Sequence, residues 1–273
     1  MENTTSRIPA PASGWGGTDD LLAETPYVWR ARRTAPRWRL FCFPHAGAGA
    51  SFFAEWAPLL PPEIELLAIQ LPGRQNRIAE KPFTEVEPLV RTLVHALRPY
   101  LAGRTAFFGH CGGAVLAYEL TQALHKAGVP GPAQLLLSGQ RAPGQPATAP
   151  DLHGLPDAEF VAELVRLGGT EAAVAEGELM RTLLPVLRAD FRLWEEHWPQ
   201  PGPPVDVPMV ALAGRNDPRT PADTLEAWRD HTTASFRQRL FDGGHFYLQD
   251  SARELVTVIA DSLLGDPTTE VSR

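Results

Sequence analysis

The residues best suited to covalent chemistry surround Cys111. An apolar run at 106–108 leads into Gly109-His110-Cys111-Gly112-Gly113, and a helical pattern follows. This context is typical of a nucleophile elbow, a sharp strand-to-helix turn whose strained nucleophile needs small neighbours. The N-terminus of the following helix would stabilise a thiolate at Cys111 through its dipole. The alternative, an inert core cysteine, fits Cys42 instead, because Cys42 stands inside the apolar run 40–43.

A base and an orienting acid follow Cys111 in the chain. His245 stands on a glycine-flanked loop after a predicted strand, and Asp217 stands just after another. His245 could take the thiol proton and return a proton to a leaving group, while Asp217 would fix the imidazole tautomer. A lone histidine or an Asp-Pro turn is usually structural, but the order Cys111, Asp217, His245 is the nucleophile–acid–base order of α/β-hydrolases.

A glycine-rich segment at residues 43–50 is the second candidate for chemistry. In this type of site, one backbone amide comes from such a loop and a second from the residue after the nucleophile. We therefore predict Ala46 and Gly112 as the oxyanion hole, and His45 and His110 as substrate-contacting neighbours. The rival interpretation, a phosphate-binding loop, is weaker because the segment lacks the lysine and the spacing of a P-loop.

The elements that would position these residues alternate between short apolar runs and helical patterns. Alternation with short connections predicts a mostly parallel sheet covered by helices on both faces, and with the triad order it predicts an α/β-hydrolase fold. Strands are predicted at 39–43, 65–70, 105–108, 134–137, 207–213 and 236–241. Helices are predicted at 86–97, at 114–127, from an N-cap at Thr220 to Trp228, and at 255–264.

One stretch interrupts the alternation, because residues 151–199 carry helical patterns without a strand. An all-helical insertion late in a parallel α/β domain predicts a lid over the site, with helices at 156–167 and 177–198. We expect a flexible arm at 1–27, one domain at 28–266 and a flexible tail at 267–273, because both termini lack sustained periodicity.

Composition limits the classes of function. The 273-residue chain has a net charge of −7, which disfavours a nucleic-acid or anionic-membrane binder. Two cysteines cannot form a disulfide framework, and no signal or membrane-spanning pattern is found, so we expect a cytoplasmic protein. Five arginines cluster between 30 and 39, either as a solvated surface or as a docking patch for an acidic partner, with Arg30, Arg32 and Arg33 as candidates.

Seven stretches together resemble one known family, the type II thioesterases of polyketide and nonribosomal peptide biosynthesis. They are LFCFPHAGAGASFF (40–53), AIQLPGRQNRI (68–78), FFGHCGGAVLAYEL (107–120), LLLSGQRAP (135–143), LRADFRLWE (187–195), LAGRNDPRTP (212–221) and FDGGHFYL (241–248). The resemblance implies an α/β-hydrolase fold with a flexible helical lid. It also implies a substrate tethered as a thioester to the phosphopantetheine of an acyl or peptidyl carrier protein, and editing by hydrolysis. We expect a monomer with no metal and no cofactor of its own.

The chain departs from the family pattern at the elbow, where serine followed by methionine is usual. Cys111 and Gly112 stand there instead. A cysteine exchanges one thioester for another at little energy cost, which suits passing the acyl group to a second thiol or an amine. Three alternatives therefore stay open: hydrolysis through acyl-Cys111, acyl or aminoacyl transfer between carriers, and a non-catalytic binding protein of the same fold. A cysteine introduced deliberately in place of serine would give the same sequence at position 111.

Overall fold

The apolar runs predicted as strands form the centre of one sheet. The computed structural model describes residues 20–169, 177–197 and 202–265. Within them, an eight-stranded sheet has the order β1-β2-β4-β3-β5-β6-β7-β8, and β3 to β8 run parallel to one another. The strands are β1 Leu22–Ala23, β2 Val28–Ala31, β3 Trp38–Phe43, β4 Ile64–Ile69, β5 Thr105–His110, β6 Gln134–Ser138, β7 Met209–Gly214 and β8 Phe236–Phe241.

Helices cover both faces of this sheet. They are α1 Val86–Leu97, α2 Gly112–Lys126, α3 Asp157–Arg166, α4 Glu178–Glu196, α5 Tyr247–Asp250 and α6 Ala252–Leu264, with 3-10 helices at Ala50–Leu59, Gln75–Arg77, Arg98–Tyr100 and Ala222–His231. Helices α1 and α2 bury their apolar sides in one core layer, and α6 with Ala50–Leu59 forms the other. Because both faces are covered, β4, β5, β6 and β7 are buried at every residue.

The helix predicted after Thr220 differs in type and in its cap. Residues Ala222–His231 form a 3-10 helix, and Pro221 is the residue that precedes it. The buried hydroxyl of Thr220 has no hydrogen-bond partner among the described residues, whereas the Thr224 amide and hydroxyl both donate to the Pro221 carbonyl oxygen. The capping role predicted for Thr220 is therefore wrong.

Helices α3 and α4 pack together at the end of the sheet where the parallel strands finish. They correspond to the helices predicted at 156–167 and 177–198, and we call them the lid helices after the lid predicted there. They share an apolar cluster against which Ala46 and Phe246 also pack. The cluster contains Leu152, Phe160, Leu164, Leu167, Met180, Leu187 and Phe191. No helix of the described residues is both long and apolar enough to span a membrane.

Residues 20–27 are more ordered than predicted. Residues 20–27, expected to belong to a flexible arm, contain β1, which pairs antiparallel with β2 at the edge of the sheet. The Thr25 hydroxyl accepts the amides of Tyr27 and Val28 and so closes the turn between the strands. The described part of the domain thus begins before residue 28. Residues 1–19 and the tail predicted at 267–273 lie outside the described residues.

The arginine cluster takes part in ion pairs inside the domain. Glu65, fully buried on β4, accepts Arg30 Nη2 at 2.9 Å, Arg39 Nε at 3.2 Å and the Arg33 amide at 3.1 Å. A buried carboxylate needs such compensation. The Arg33 guanidinium also donates to the Ala57 carbonyl oxygen. Arg30 and Arg33 therefore stabilise the fold, a role that the sequence did not reveal. Arg32 pairs with Glu24, with Nη2 at 3.1 Å from Oε2, but its side chain is 42% exposed, so the docking prediction rests chiefly on that residue.

Candidate active site

The turn between β5 and α2 is a strained elbow with Cys111 at its apex. Cys111 has φ +54° and ψ −122°, a conformation that side-chain-bearing residues rarely adopt. Small neighbours are necessary because the chain folds back on itself: a Cβ on Gly109 would lie 2.1 Å from the Gly113 carbonyl oxygen. The elbow places the half-buried Cys111 directly before the first residue of α2, as predicted.

His245 and Asp217 meet beside Cys111, as the sequence order predicted. His245 Nδ1 lies 2.8 Å from Asp217 Oδ2, and both side chains are almost wholly buried. The imidazole also lies beside the Cys111 thiol, close enough to lower the pKa of that thiol. The other oxygen of Asp217 accepts the Arg219 amide at 2.8 Å, so the carboxylate is held from two sides. The three side chains therefore form one electrostatically coupled array.

Electrostatics favour a thiolate–imidazolium pair in this array. Burial alone would raise the pKa of Cys111, but the hydrogen bond to His245, the charge of that imidazole and the Arg219 guanidinium together lower it. Burial opposes the charge on His245, yet its bonds to Asp217 and Cys111 prevail and raise its pKa to about 9. The pKa of Asp217 falls below its usual value because, despite burial, it accepts hydrogen bonds from His245 and two backbone amides. Both shifts favour the thiolate form of Cys111.

The predicted oxyanion donors lie on either side of Cys111. The Gly112 amide points at the Cys111 sulfur from the N-terminus of α2. Ala46 lines the same cavities as Cys111, and in the described part of the chain its amide donates to no protein oxygen. The Ala46 amide is therefore available to a substrate oxygen.

Cavities on two sides of Cys111 reach the sulfur. One, of about 50 Å³, is polar and has Gln140, Arg141, Asp151, Glu195 and Arg219 among its lining residues. The other, of about 30 Å³, lies under the lid helices and is lined by Leu164, Leu167, Leu187, Phe191 and Phe246 among others. The walls differ in chemistry, so one side suits an apolar acyl group and the other a polar, amide-bearing arm.

The two predicted substrate-contacting histidines have different positions. His45 borders the apolar cavity, and burial together with the charge of His245 lowers its pKa to about 3. His110 is fully buried, its Nδ1 lies 2.9 Å from Ser138 Oγ, and its ring centre lies 5.0 Å from that of His245. His110 packs against the imidazole of His245 and lines neither of the two cavities beside Cys111, which corrects the prediction that it contacts substrate. Burial and the charge of His245 lower its pKa and keep it neutral.

Sequence reasoning missed Arg219, Phe191, Trp194 and Glu195, which line the polar cavity with Cys111. Arg219 could have been found, because it stands two residues after Asp217 in the same loop. Phe191, Trp194 and Glu195 recur at helical spacing on α4, a pattern that marks one helix face but not what that face covers.

Known proteins resemble this chain over most of its length. The Thioesterase domain family matches residues 38–263. Gramicidin S biosynthesis protein GrsT of Aneurinibacillus migulanus is 38% identical over 231 residues, covering 84% of this chain and 90% of its own. Thioesterase PikA5 of Streptomyces venezuelae is 42% identical over 240 residues, covering 85% of this chain and 84% of its own.

A solved structure shows the same fold. The type II thioesterase BorB from the borrelidin biosynthetic cluster superposes with a TM-score of 0.80 at 38% identity, covering 88% of this chain and 99% of BorB. The family match spans most of the chain, and the relatives align over most of their own length. The chain therefore belongs to the thioesterase domain family and, within it, to the type II thioesterases of polyketide and nonribosomal peptide biosynthesis.

Proposed function

We propose that this protein releases acyl groups, carried as thioesters on the phosphopantetheine arm of a carrier protein, through a covalent acyl-Cys111 intermediate. The observation that carries the proposal is the array of Cys111, His245 and Asp217 on a strained elbow. Its cation–anion character fits nucleophilic catalysis, and Cys111 lines two small cavities beside the lid helices.

In the acylation step, the Cys111 thiolate attacks the thioester carbonyl carbon and a carbon–sulfur bond forms. The carbonyl oxygen becomes an oxyanion, which the Ala46 and Gly112 amides stabilise. Collapse breaks the bond to the pantetheine sulfur, and this leaving thiolate takes the proton of His245. His245 Nδ1 stays bonded to Asp217, so Nε2 is the nitrogen that delivers the proton.

In the second step, neutral His245 takes a proton from water, and the oxygen attacks the acyl carbon. A second oxyanion forms in the same hole, and its collapse expels Cys111 as a thiolate beside the imidazolium. The products are the free acid and the original ion pair. The acyl carrier arrives with its own phosphopantetheine, so the protein needs no further cofactor. The expected monomeric state and cytoplasmic location stay predictions.

A second candidate, transfer of the acyl group to another thiol, is favoured by the nucleophile itself. Because acyl-Cys111 is a thioester, attack by a second pantetheine thiol is nearly neutral in energy, whereas release to water is downhill. Neutral His245, left by the acylation step, would take the proton of the incoming thiol, and collapse of the second oxyanion would restore the Cys111 thiolate beside the imidazolium. Transfer and hydrolysis therefore share the acylation step and differ only in the acceptor.

Intact-mass analysis of the enzyme with an acylated carrier, followed over time with and without a second holo carrier, tests the proposal. Hydrolysis predicts free acid and no lasting acyl mass on the second carrier. Transfer predicts an acyl mass on Cys111 that moves to the second carrier. Cys111→Ser is the matched variant: it would form an oxyester, which hydrolyses but returns the acyl group to a thiol poorly. A carrier that keeps its acyl group in the presence of the wild type, with no free acid and no acyl mass on Cys111 or on the second carrier, would instead indicate a binding protein.

A further inference from the structure

The lid helix α4 contacts the loop that carries Ala46, residues 44–49, through one buried carboxylate. Asp190 is 2% exposed, and its Oδ2 accepts the Gly47 amide at 2.8 Å. This bond fixes the peptide plane between Ala46 and Gly47, next to the amide proposed to stabilise the oxyanion. The two partners are 143 residues apart in the chain.

Arg74 completes this contact. Its Nη1 and Nη2 bind Asp190 Oδ2 and Oδ1 at 2.6 and 2.8 Å, and Nη1 also donates to the Ala48 carbonyl oxygen at 3.1 Å. Arg74 is itself 2% exposed and is held by the Pro72 carbonyl oxygen. A bidentate buried pair of this kind is geometrically specific, and losing one partner strands a charge. Arg74 therefore fixes Asp190 in the orientation that Gly47 requires.

The same turn of α4 also clamps Gly47 by packing. Leu187 stands three residues before Asp190, on the same helix face. A Cβ built on Gly47 would lie 2.3 Å from Leu187 Cδ2, so Leu187 sits directly on the backbone of the loop. Gly47 has φ +75°, a conformation open to glycine. The loop is thus held by α4 through one hydrogen bond and one apolar contact.

We propose that Asp190 is a positioning residue that couples docking of α4 to assembly of the oxyanion hole. The apolar cavity under the lid helices has about 30 Å³, roughly enough for one or two waters, so an acyl group needs α4 to move aside. When α4 moves, Gly47 loses its acceptor and the peptide plane between Ala46 and Gly47 is no longer held. When α4 returns, Asp190 restores the peptide plane, and the hole forms around the bound acyl group. The inference rests on the proposed function, since it assigns Ala46 to that hole.

Two reactions of Cys111 separate this role from a structural one. Acylation by a thioester needs the oxyanion hole, whereas alkylation by iodoacetamide needs only the thiolate. Asp190→Asn keeps an oxygen that can accept from Gly47. The double variant Arg74→Met with Asp190→Leu removes the acceptor and leaves no buried charge unpaired. Arg192→Gln is the control, because Arg192 pairs with Glu196 on the exposed side of the same helix.

We expect the double variant to acylate at least about 10-fold more slowly than wild type, since loss of one oxyanion donor costs about 100- to 1,000-fold in a well-studied case. The acylation rate of Asp190→Asn should lie between those of the double variant and the wild type. The alkylation rate of every variant should stay within about 2-fold of the wild-type rate. Unchanged acylation in the double variant, or a proportional fall in both reactions, would overturn the coupling. If wild type itself fails to acylate, the proposed function falls, and the coupling falls with it.

Discussion

The indole of Trp194 occupies the space that a side chain at position 112 would need. A Cβ built on Gly112 would lie 2.1 Å from Trp194 Nε1 and 2.2 Å from Trp194 Cδ1. Position 112 supplies a proposed oxyanion amide, and the sequence resemblance implies a methionine there. Glycine at 112 and tryptophan at 194 are therefore complementary, and position 112 cannot be enlarged while Trp194 is in place.

Gly112→Ala should destabilise the protein by about 1–3 kcal/mol, the usual cost of overpacking a tight core, and should lower kcat/KM for an acyl thioester. Adding Trp194→Ala should restore part of both, because it removes the clashing ring. Urea unfolding and thioester kinetics measure the two effects. Gly131→Ala is the control, since its Cβ would meet Leu124 only at 3.9 Å. Additive losses in the double variant would contradict the complementarity.

The pH dependence of Cys111 should differ between alkylation and acylation. Because the pKa of Cys111 is lowered, iodoacetamide should react with it at pH values below the ordinary thiol pKa of about 8.5, and His245→Gln should move that profile upward. Acylation should also decline above about pH 9, where His245 loses the proton that the leaving thiol needs. Alkylation should not decline there, because the thiolate persists. Profiles that fall together at high pH would contradict the assigned proton donor.

Arg219 should tune the thiolate without joining the proton transfer. Its guanidinium lowers the pKa of Cys111, while only its backbone amide bonds to Asp217. Arg219→Gln should therefore slow alkylation roughly 3- to 10-fold at about pH 6 and leave the plateau rate at high pH unchanged. Arg219→Lys keeps the charge and should stay close to wild type. A lower plateau in Arg219→Gln would mean that the array itself has been disturbed.

Arg32 carries the docking prediction. Arg32→Gln should raise KM for an acyl-carrier substrate about 2- to 5-fold, in line with the modest effect of one exposed charge, and leave KM for a small acyl thioester unchanged. Arg91→Gln on α1, whose arginine is 65% exposed, is the control. Equal effects on both substrates, or the same effect from Arg91→Gln, would refute docking at Arg32.

Much of the fold followed from local pattern. The strand at Phe236–Phe241 has its predicted bounds, and the other predicted strands shift by one or two residues. Strand β2 was missed because Val28–Ala31 is a short strand next to the edge of the sheet and contains an arginine, a composition that is also typical of a surface segment. Residues 20–27 were missed because their order depends on pairing with β2 rather than on their own periodicity.

The site divides in the same way. The elbow and the pairing of Asp217 with His245 were predictable, because turn chemistry and strand ends are local signals. The prediction that His110 contacts substrate overlooked strand alternation. His110 follows Phe108 by two residues on β5, so both side chains point to the same face of the sheet, where Phe108 belongs to the core. The contact of Asp190 with Arg74 spans 116 residues and leaves no trace in spacing. Only the packed structure brings such distant partners together.

The contrast between the two cysteines has a consequence for oxidation. An accessible thiolate is the form that peroxides attack, so the feature that activates Cys111 also exposes it to conversion into a sulfenic acid. Cys42 is fully buried in β3, and burial raises the pKa of its thiol, so it is poorly suited to resolve that acid as a disulfide. Recovery would depend on a small external thiol, or on the pantetheine of an arriving carrier. A serine at the elbow would carry no such dependence on the redox state of its surroundings.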